Sequence, residues 1–166
     1  QADNLSGPRV AGFLDINIGG LSDAGFYAEQ SISNGITLCR ITSENHTGIQ
    51  ARSWVSATEN LVFIELSAFG SEAGMHIALT APENRQAHLK KGSSGNIQWL
   101  TRSFTDSVDI PTEVSVALKG LNHDINTGQL QPGKKLILLL CIESRFGNKE
   151  PLKYVIDHIS GISMEE

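Results

Sequence analysis

Hydrophobic and polar positions alternate with a period of two over most of the chain, which is typical of half-buried β-strands. Leu14, Ile16 and Ile18 share one face of the first such segment, and the polar residues Asp15 and Asn17 share the other. Further segments of this kind, bounded by turn residues, are 36–41, 49–55, 61–66, 75–79, 97–100, 104–110, 112–118 and 136–142. Eight or more short strands separated by turns predict an all-β sandwich.

The segment 136–142 departs from this alternation because it is apolar on both faces. One face carries a row of four apolar side chains, Leu136, Leu138, Leu140 and Ile142. The other face carries Ile137, Leu139 and Cys141, which are equally apolar. A strand of an antiparallel sandwich normally keeps one polar face, so this strand is expected to have additional cover.

The two cysteines, Cys39 and Cys141, lie far apart in the chain, each within a strand-like segment. This arrangement predicts one disulfide between strands, across the core of the sandwich. The alternative is a pair of reduced cysteines buried in the core. Their spacing is not that of a metal site, since it contains no C-x-x-C and no nearby pair of histidines.

The end of the chain reads as a connector, 146–151, followed by a C-terminal segment, 152–166, with the main domain spanning 1–145. As a strand, this segment places Leu152, Tyr154 and Ile156 on one face, which is the interpretation favoured by the all-β character of the rest. As a helix, it has a proline in its first turn, a glycine as its stop and an apolar stripe formed by Leu152, Val155, Ile156 and Ile159.

Composition narrows the classes of function. The 166 residues suit one domain, and the formal net charge of -5 argues against nucleic acid or an anionic membrane as the main partner. No apolar run approaches the ~20 residues that span a bilayer. The chain has no G-x-S-x-G, H-E-x-x-H or phosphate-binding glycine motif, so we expect neither catalysis nor a cofactor. The polar start of the sequence is what a secreted chain without its signal peptide would show, and a cytosolic start would look similar.

Around the cysteines the sequence resembles a known family. The segment 35–40 (Gly-Ile-Thr-Leu-Cys-Arg), followed by His-Thr-Gly at 46–48, resembles the first cysteine strand of the AfaD/DraD invasin-type minor subunits. These subunits belong to Afa/Dr and related aggregative adherence fimbriae. The segment 14–20 is similar to their first strand, and 122–142 is similar to their closing strand. The resemblance covers residues 14 to about 143.

The resemblance implies an immunoglobulin-like sandwich of the pilin type that lacks its last strand. It also implies a disulfide between Cys39 and Cys141. The missing strand would be supplied by a donor segment lying in a groove along the closing strand, at Leu136, Leu138, Leu140 and Ile142. This chain continues for 25 residues beyond the second cysteine. Leu152, Tyr154 and Ile156 therefore form either a fused donor strand or part of a native tail.

On this basis we expect a minor subunit, located at the tip of a chaperone–usher fimbria and acting in assembly and in host-cell adhesion or invasion. Its expected partners are the major fimbrial subunit, a periplasmic chaperone and an outer-membrane usher, with a host integrin or matrix protein as the receptor. Its expected location is extracellular, on the fimbrial surface. The alternative is a complete secreted immunoglobulin-like binding module unrelated to fimbriae. A small β-sandwich hydrolase or carbohydrate-binding domain is a more distant option.

Overall fold

The computed structural model describes residues 10–21, 23–82, 87–105, 111–122, 124–125, 128–146 and 150–163. These residues form eleven strands and one helix. The strands are β1 (Phe13–Ile18), β2 (Gly25–Ser31), β3 (Ile36–Thr42), β4 (Gly48–Val55), β5 (Leu61–Phe69), β6 (Ala73–Thr80), β7 (Ala87–Ser94), β8 (Ile97–Phe104), β9 (Thr112–Gly120), β10 (Gln129–Leu130) and β11 (Lys135–Ser144). The helix is α1 (Pro151–Ser160).

The described strands form two antiparallel sheets of unequal size. The larger sheet has eight strands in the order β2-β3-β4-β5-β11-β9-β8-β7, and the smaller has three in the order β1-β6-β10. The prediction of an all-β sandwich is therefore confirmed. Part of the segment 104–110, predicted to be one strand, is the end of β8, and its residues 106–110 lie outside the described residues.

The main core lies between the two sheets and is built from alternate residues of their strands. Ile77 and Leu79 of β6 face inward, while the neighbouring His76 is exposed. The most deeply buried apolar side chains of this core are Leu66, Leu100, Leu118, Leu130 and Leu138. Five of the eight strands of the larger sheet, β4, β5, β11, β9 and β8, contribute buried residues to it. The strands β2 and β3 extend beyond this buried region.

A second core lies on the opposite face of the larger sheet, beneath α1. Leu139 and Cys141 of β11 pack there with Ala117 of β9, and Val155 and Ile159 of the helix cover them. All five side chains are fully buried. The expectation that the two-faced apolar strand has additional cover is therefore confirmed, because the small sheet covers one face of β11 and the helix covers the other.

The structure contradicts the interpretation of residues 152–159 as a strand. Pro151 occupies the first turn, where a missing N–H costs nothing, and Gly161 caps the end with its N–H bonded to the Ile159 carbonyl. The spacing of Leu152, Val155, Ile156 and Ile159 places all four on the sheet side of a helix. The alternative helical interpretation of this pattern is the correct one.

Lys119 of β9 holds the end of α1 against the sheet. Its Nζ donates hydrogen bonds to the carbonyl oxygens of Ile159 at 3.1 Å, Ser160 at 3.2 Å and Ile162 at 2.7 Å. The last carbonyls of a helix have no partner within the helix, and they carry the negative end of its dipole. A lysine at this place satisfies both the hydrogen bonding and the charge.

Candidate functional site

Among the strands that the structure describes, β1 has one edge without a neighbour. Gly19, at the end of the β1–β6 ladder, donates its N–H to the Gly74 carbonyl at 3.0 Å. Residues of an antiparallel strand alternate in the direction of their backbone groups, so the odd-numbered residues of β1 bond toward β6. Leu14, Ile16 and Ile18 therefore direct their N–H and C=O groups to the other side. Among the described residues, no strand pairs with that side.

The other edge of the same small sheet is closed. Gln98 of β8 accepts a hydrogen bond from the Leu79 N–H at 3.3 Å and donates one to the Ile77 carbonyl at 3.4 Å. The Met75 N–H bonds to the Gly128 carbonyl at 2.7 Å, and β10 pairs with the first two residues of β6. A side chain and a loop thus replace a neighbouring strand along β6. Nothing comparable satisfies the backbone of β1 within the described part of the chain.

The floor beside β1 is the inner face of the larger sheet, where the small sheet does not cover it. Cross-strand registers place the uncovered side chains on the same face as the main core. We call the apolar part of this set the shelf, and it consists of Phe26, Ala28, Cys39, Ile41, Ala51, Val55, Val62, Val114 and Ile142. Polar side chains of the same face, Gln30, Thr37 and Ser53, lie beside it. Each of the shelf side chains is half-buried or exposed. Because they are apolar, the shelf is a surface that lacks a covering layer.

Two clefts open onto this face. The first, of about 600 Å³, is lined by Ile16, Ile18 and Leu21 from the region of β1 and by Ile41 of β3, and it extends over the outer face of the small sheet, where its lining includes Asp15, His76 and Thr80. The second, of about 580 Å³, is lined by Val55, Val62, Val114 and Ile142 together with polar residues of the loop 56–60 and of the end of β11. Ile41 shares a cleft with the inward side chains of β1. The open backbone edge and the apolar shelf therefore belong to one site.

One part of the shelf carries only small side chains and is therefore recessed. Ala28, Cys39 and Ala51 lie directly opposite one another across β2, β3 and β4. Phe26 and Ile41 form the adjacent cross-strand pair and stand higher. The step between these two rows leaves space for a larger side chain from a bound segment. Apolar side chains at alternate positions of an added strand would point toward this floor.

The predicted disulfide is not present, and both cysteines are free thiols. The strands β4 and β5 lie between β3 and β11, so these two strands are three spacings apart, about 14 Å, and the register separates Cys39 from Cys141 further along the strands. A disulfide requires Cα atoms within about 7 Å. The two thiols also face opposite sides of the sheet. Cys39 lies on the shelf, while Cys141 is fully buried beneath α1.

The environments of the two thiols differ in reactivity as well as position. Burial, followed by the negative charges of Glu143 and Glu59, raises the pKa of the Cys141 thiol to about 11. A thiol with such a pKa is almost entirely protonated at neutral pH and reacts slowly. Cys39 is half-buried on an open surface. The rate at which a thiol reagent labels Cys39 should therefore fall when a bound segment covers the shelf.

The structure places the predicted donor-strand groove elsewhere than expected. Leu136, Leu138 and Leu140 lie in the closed main core, and Ile142 is 38% exposed at its margin. Strand β11 pairs with β5 on one edge and with β9 on the other, so it has no free edge to receive a donor strand over this run. The sequence correctly predicts the apolar face of this strand, but it does not show that both edges of the strand are paired with other strands.

The predicted donor residues are part of the helix instead. Leu152 and Ile156 pack on the second core, and the ring of Tyr154 stacks on His158 at 5.4 Å between centroids. His158 approaches Glu59 of the loop between β4 and β5, with 3.3 Å between Nε2 and Oε2. None of these three predicted residues contributes a strand to either sheet. In the structure, their contacts hold α1 against the larger sheet.

The site that the structure presents was not predicted. Nothing in the first strand segment distinguishes an edge strand from a central one, because this depends on the order of strands in the sheet. The inward alternation of Leu14, Ile16 and Ile18 was recognised, but their unpaired backbone groups were not. The exposed apolar residues Phe26, Val55 and Ile142, which are 69%, 67% and 38% exposed, are the structural signal.

Two further properties bear on the chemistry available. Within the described ranges, no group of three or more His, Cys, Asp or Glu side chains is placed to hold a metal ion. No helix in the described part of the chain is long and apolar enough to cross a membrane. Comparison with known proteins adds no assignment, because no protein-family model matches the chain and no curated protein matches it.

Proposed function

We propose that this protein is a non-catalytic binding subunit that captures an extended segment of a partner by strand addition at β1. The observation that carries the proposal is the edge at Leu14, Ile16 and Ile18, with which no strand of the described residues pairs, beside an apolar shelf. Added strands bind through main-chain hydrogen bonds, and pockets for alternate side chains supply the specificity. Both features belong to this one site.

The captured element is a thin, extended segment and not the β1 edge of a second folded copy. Ile41 of β3 lines the cleft beside β1, and β2 lies one strand further out on the same sheet. The larger sheet therefore projects beyond the β1 edge by about two strand spacings, roughly 10 Å. Two copies approaching through β1 would bring these projections into collision. A flexible segment of a partner has no such obstacle.

The resemblance of the sequence to fimbrial minor subunits gives the proposal a biological setting. A subunit of this kind would receive a donor segment first from a periplasmic chaperone and then from the major fimbrial subunit at an outer-membrane usher. It would act outside the cell, at the fimbrial surface or tip, with a host integrin or matrix protein as its receptor. The open β1 edge supports this setting, with the groove moved from β11 to β1.

A second candidate is a complete secreted binding module that needs no donor strand. The pairing of β11 on both edges and its cover by α1 favour this candidate. The module would be a stable monomer whose shelf is a binding surface for a folded ligand. The two candidates differ in whether an isolated extended peptide binds beside β1.

The test uses a synthetic peptide with valine at alternate positions and threonine or lysine between them. Its binding should protect Cys39 from a maleimide, while Cys141 stays unlabelled with or without peptide. A peptide that differs only by a proline in place of its central residue lacks a required N–H and is the matched control. Equal labelling of Cys39 with the two peptides would contradict strand addition.

A protein variant provides the complementary control. Ile41→Lys places a charge in the cleft and should abolish protection of Cys39 by the valine peptide. Ile32→Lys adds the same charge at a site that is 95% exposed in the turn after β2, and it should leave protection unchanged. Retention of protection in Ile41→Lys would place the peptide elsewhere on the surface.

A further inference from the structure

The two outer strands of the larger sheet differ in how their edges are protected. Strand β7 carries Lys90 and Lys91, which are both exposed. Lysines on an edge discourage pairing with another chain. Strand β2 (Gly-Phe-Tyr-Ala-Glu-Gln-Ser) contains no lysine, arginine or proline. Its Phe26 is 69% exposed and its Tyr27 is 54% exposed, and Glu29 is its single charged residue, so the β2 edge is less protected than the β7 edge.

The backbone of β2 is also available for pairing. The Gly35 N–H bonds to the Ser31 carbonyl at 2.9 Å, so Ser31 directs its backbone toward the β3 side of the hairpin. By alternation, the odd-numbered residues of β2 bond to β3, and Phe26, Ala28 and Gln30 point outward. Within the described ranges, β2 has no strand on that side. In the part of the chain that the structure describes, these three residues thus present donors and acceptors in a row with no pairing strand.

We propose that β2 pairs antiparallel with β2 of a second copy of this chain, about a two-fold axis at Ala28. This register places the two Ala28 residues opposite each other as a hydrogen-bonded pair. It places Tyr27 of each copy opposite Glu29 of the other, and Phe26 opposite Gln30. The two eight-stranded sheets become one continuous sheet. The interface is isologous, which is the commonest symmetry of homodimers.

The charges of β2 fit a second copy of the same strand. Glu29 is the single charged residue in β2, and the register about Ala28 keeps the two copies of Glu29 from facing each other. Tyr27 donates a hydrogen bond to the Glu29 carboxylate within its own strand, so hydroxyl and carboxylate are already compatible neighbours. Side chains that hydrogen-bond across two facing strands stabilise their pairing, whereas like charges directly opposite each other destabilise it.

The proposed dimer leaves the β1 edge accessible and is independent of strand capture at β1. Phe26 and Ala28 belong to the shelf, so pairing two β2 strands joins the shelves of the two copies into one longer surface. A seven-residue strand pair with two exposed aromatic residues per copy buries less than a standard interface. We therefore expect a dimer that dissociates in the micromolar range.

Sedimentation velocity across micromolar concentrations tests the association. The unmodified chain should shift from monomer to dimer as concentration rises, and Ala28→Lys should remain monomeric. Leu89→Lys adds the same charge to the opposite edge strand, β7, and should dimerise like the unmodified chain. A chain that stays monomeric throughout, or an Ala28→Lys variant that dimerises normally, would overturn the proposal.

Cross-linking tests the register. In a Cys39→Ser background, Ala28→Cys places two thiols about 5.5 Å apart between their Cα atoms at the two-fold axis. A short bifunctional maleimide should link them into a covalent dimer. Ile32→Cys is equally exposed, but the same pairing separates its two copies by about 27 Å, so it should not cross-link. Cross-linking at residue 32 and not at residue 28 would refute the proposed register.

Discussion

The two faces of the eight-stranded sheet carry one cysteine each, and they differ in how completely they are covered. On one face, α1 lies over β11 and its neighbours, and Cys141 beneath it is fully buried. On the other face, three strands cover an eight-stranded sheet, and Cys39 lies on the part that they leave open. The helix covers the apolar side chains beneath it on the first face. The small sheet ends at β1, so the second face has both an uncovered apolar surface and, beside it, the backbone edge of β1.

This difference shows that incomplete cover has distinct consequences for helices and sheets. A helix satisfies its backbone internally, so the margin of α1 exposes only side chains. A sheet that stops short exposes a row of backbone donors and acceptors together with the floor beneath them. Within the described residues, the open face therefore presents backbone groups without a neighbouring strand, whereas the face beneath α1 does not.

Removing the cover from the closed face should have the largest effect. Ile159→Ala deletes a fully buried side chain of α1 and should lower the free energy of unfolding by about 2–5 kcal/mol. Urea unfolding measures the loss, and maleimide labelling of Cys141 should accelerate. Ile156→Ala removes the same group from a half-buried position and should cost clearly less. Equal costs for the two variants would contradict the assigned packing of α1.

Opening the closed edge of the small sheet should have the next largest effect. Gln98→Ala leaves the Leu79 N–H and the Ile77 carbonyl without their side-chain partner and should cost about 1–3 kcal/mol in thermal unfolding. Gln50→Ala, on the helix-side face of β4, is the control and should be nearly neutral. A neutral Gln98→Ala variant would show that the edge of β6 does not need this closure.

Releasing the end of the helix should have a smaller effect. Lys119→Met keeps the aliphatic stem but removes three hydrogen bonds to carbonyls at the end of α1. We expect a loss of about 1–2 kcal/mol, together with faster labelling of Cys141, because the last turn frays. Lys153→Met, at an exposed position on α1, should change neither quantity. Unchanged labelling in Lys119→Met would remove the proposed role of this lysine.

The last effect, which is absent near neutral pH, is a dependence of stability on alkaline pH that belongs to the closed face. The pKa of Cys141 is raised by burial to about 11 in the folded protein, above the 9.0 of an ordinary thiol. Between these values the unfolded chain loses the thiol proton while the folded protein keeps it, so stability falls as pH rises from 9 toward 11. The slope should exceed that of Cys141→Ala by up to about 1.4 kcal/mol per pH unit. Identical slopes would contradict the burial of this thiol.

The periodicity of the sequence predicts much of the fold but not its outer strands. The alternating segments at β1, β3, β4 and β9 match strands of the structure closely. Strands β2 and β7 were missed because both of their faces are largely exposed, so neither needs an apolar side. The segment 152–159 is so short that its apolar residues fit both the strand period and the helix period. Contact with the face of the larger sheet favours the helix, because the helix turns all its apolar residues toward that face.

The site was beyond sequence analysis for a different reason. Pairing of Cys39 with Cys141, and an open groove along β11, both depend on which strands are neighbours. The structure puts β4 and β5 between the cysteines and places β11 in the interior of the sheet. Strand order is set by contacts that are distant in sequence, and no local pattern encodes it. The side chain of Gln98, which closes one edge of the small sheet, is likewise visible only in the fold.

Amide hydrogen exchange along β1 tests the central claim most directly. In the free protein, the amides of Leu14, Ile16 and Ile18 should exchange fast, while those of Asp15 and Asn17, which bond to β6, are protected. Addition of the valine-containing peptide should slow exchange at the three even-numbered residues and leave the odd-numbered ones unchanged. Even-numbered amides that are already protected in the free protein, or that stay fast with the peptide bound, would contradict strand capture at this edge.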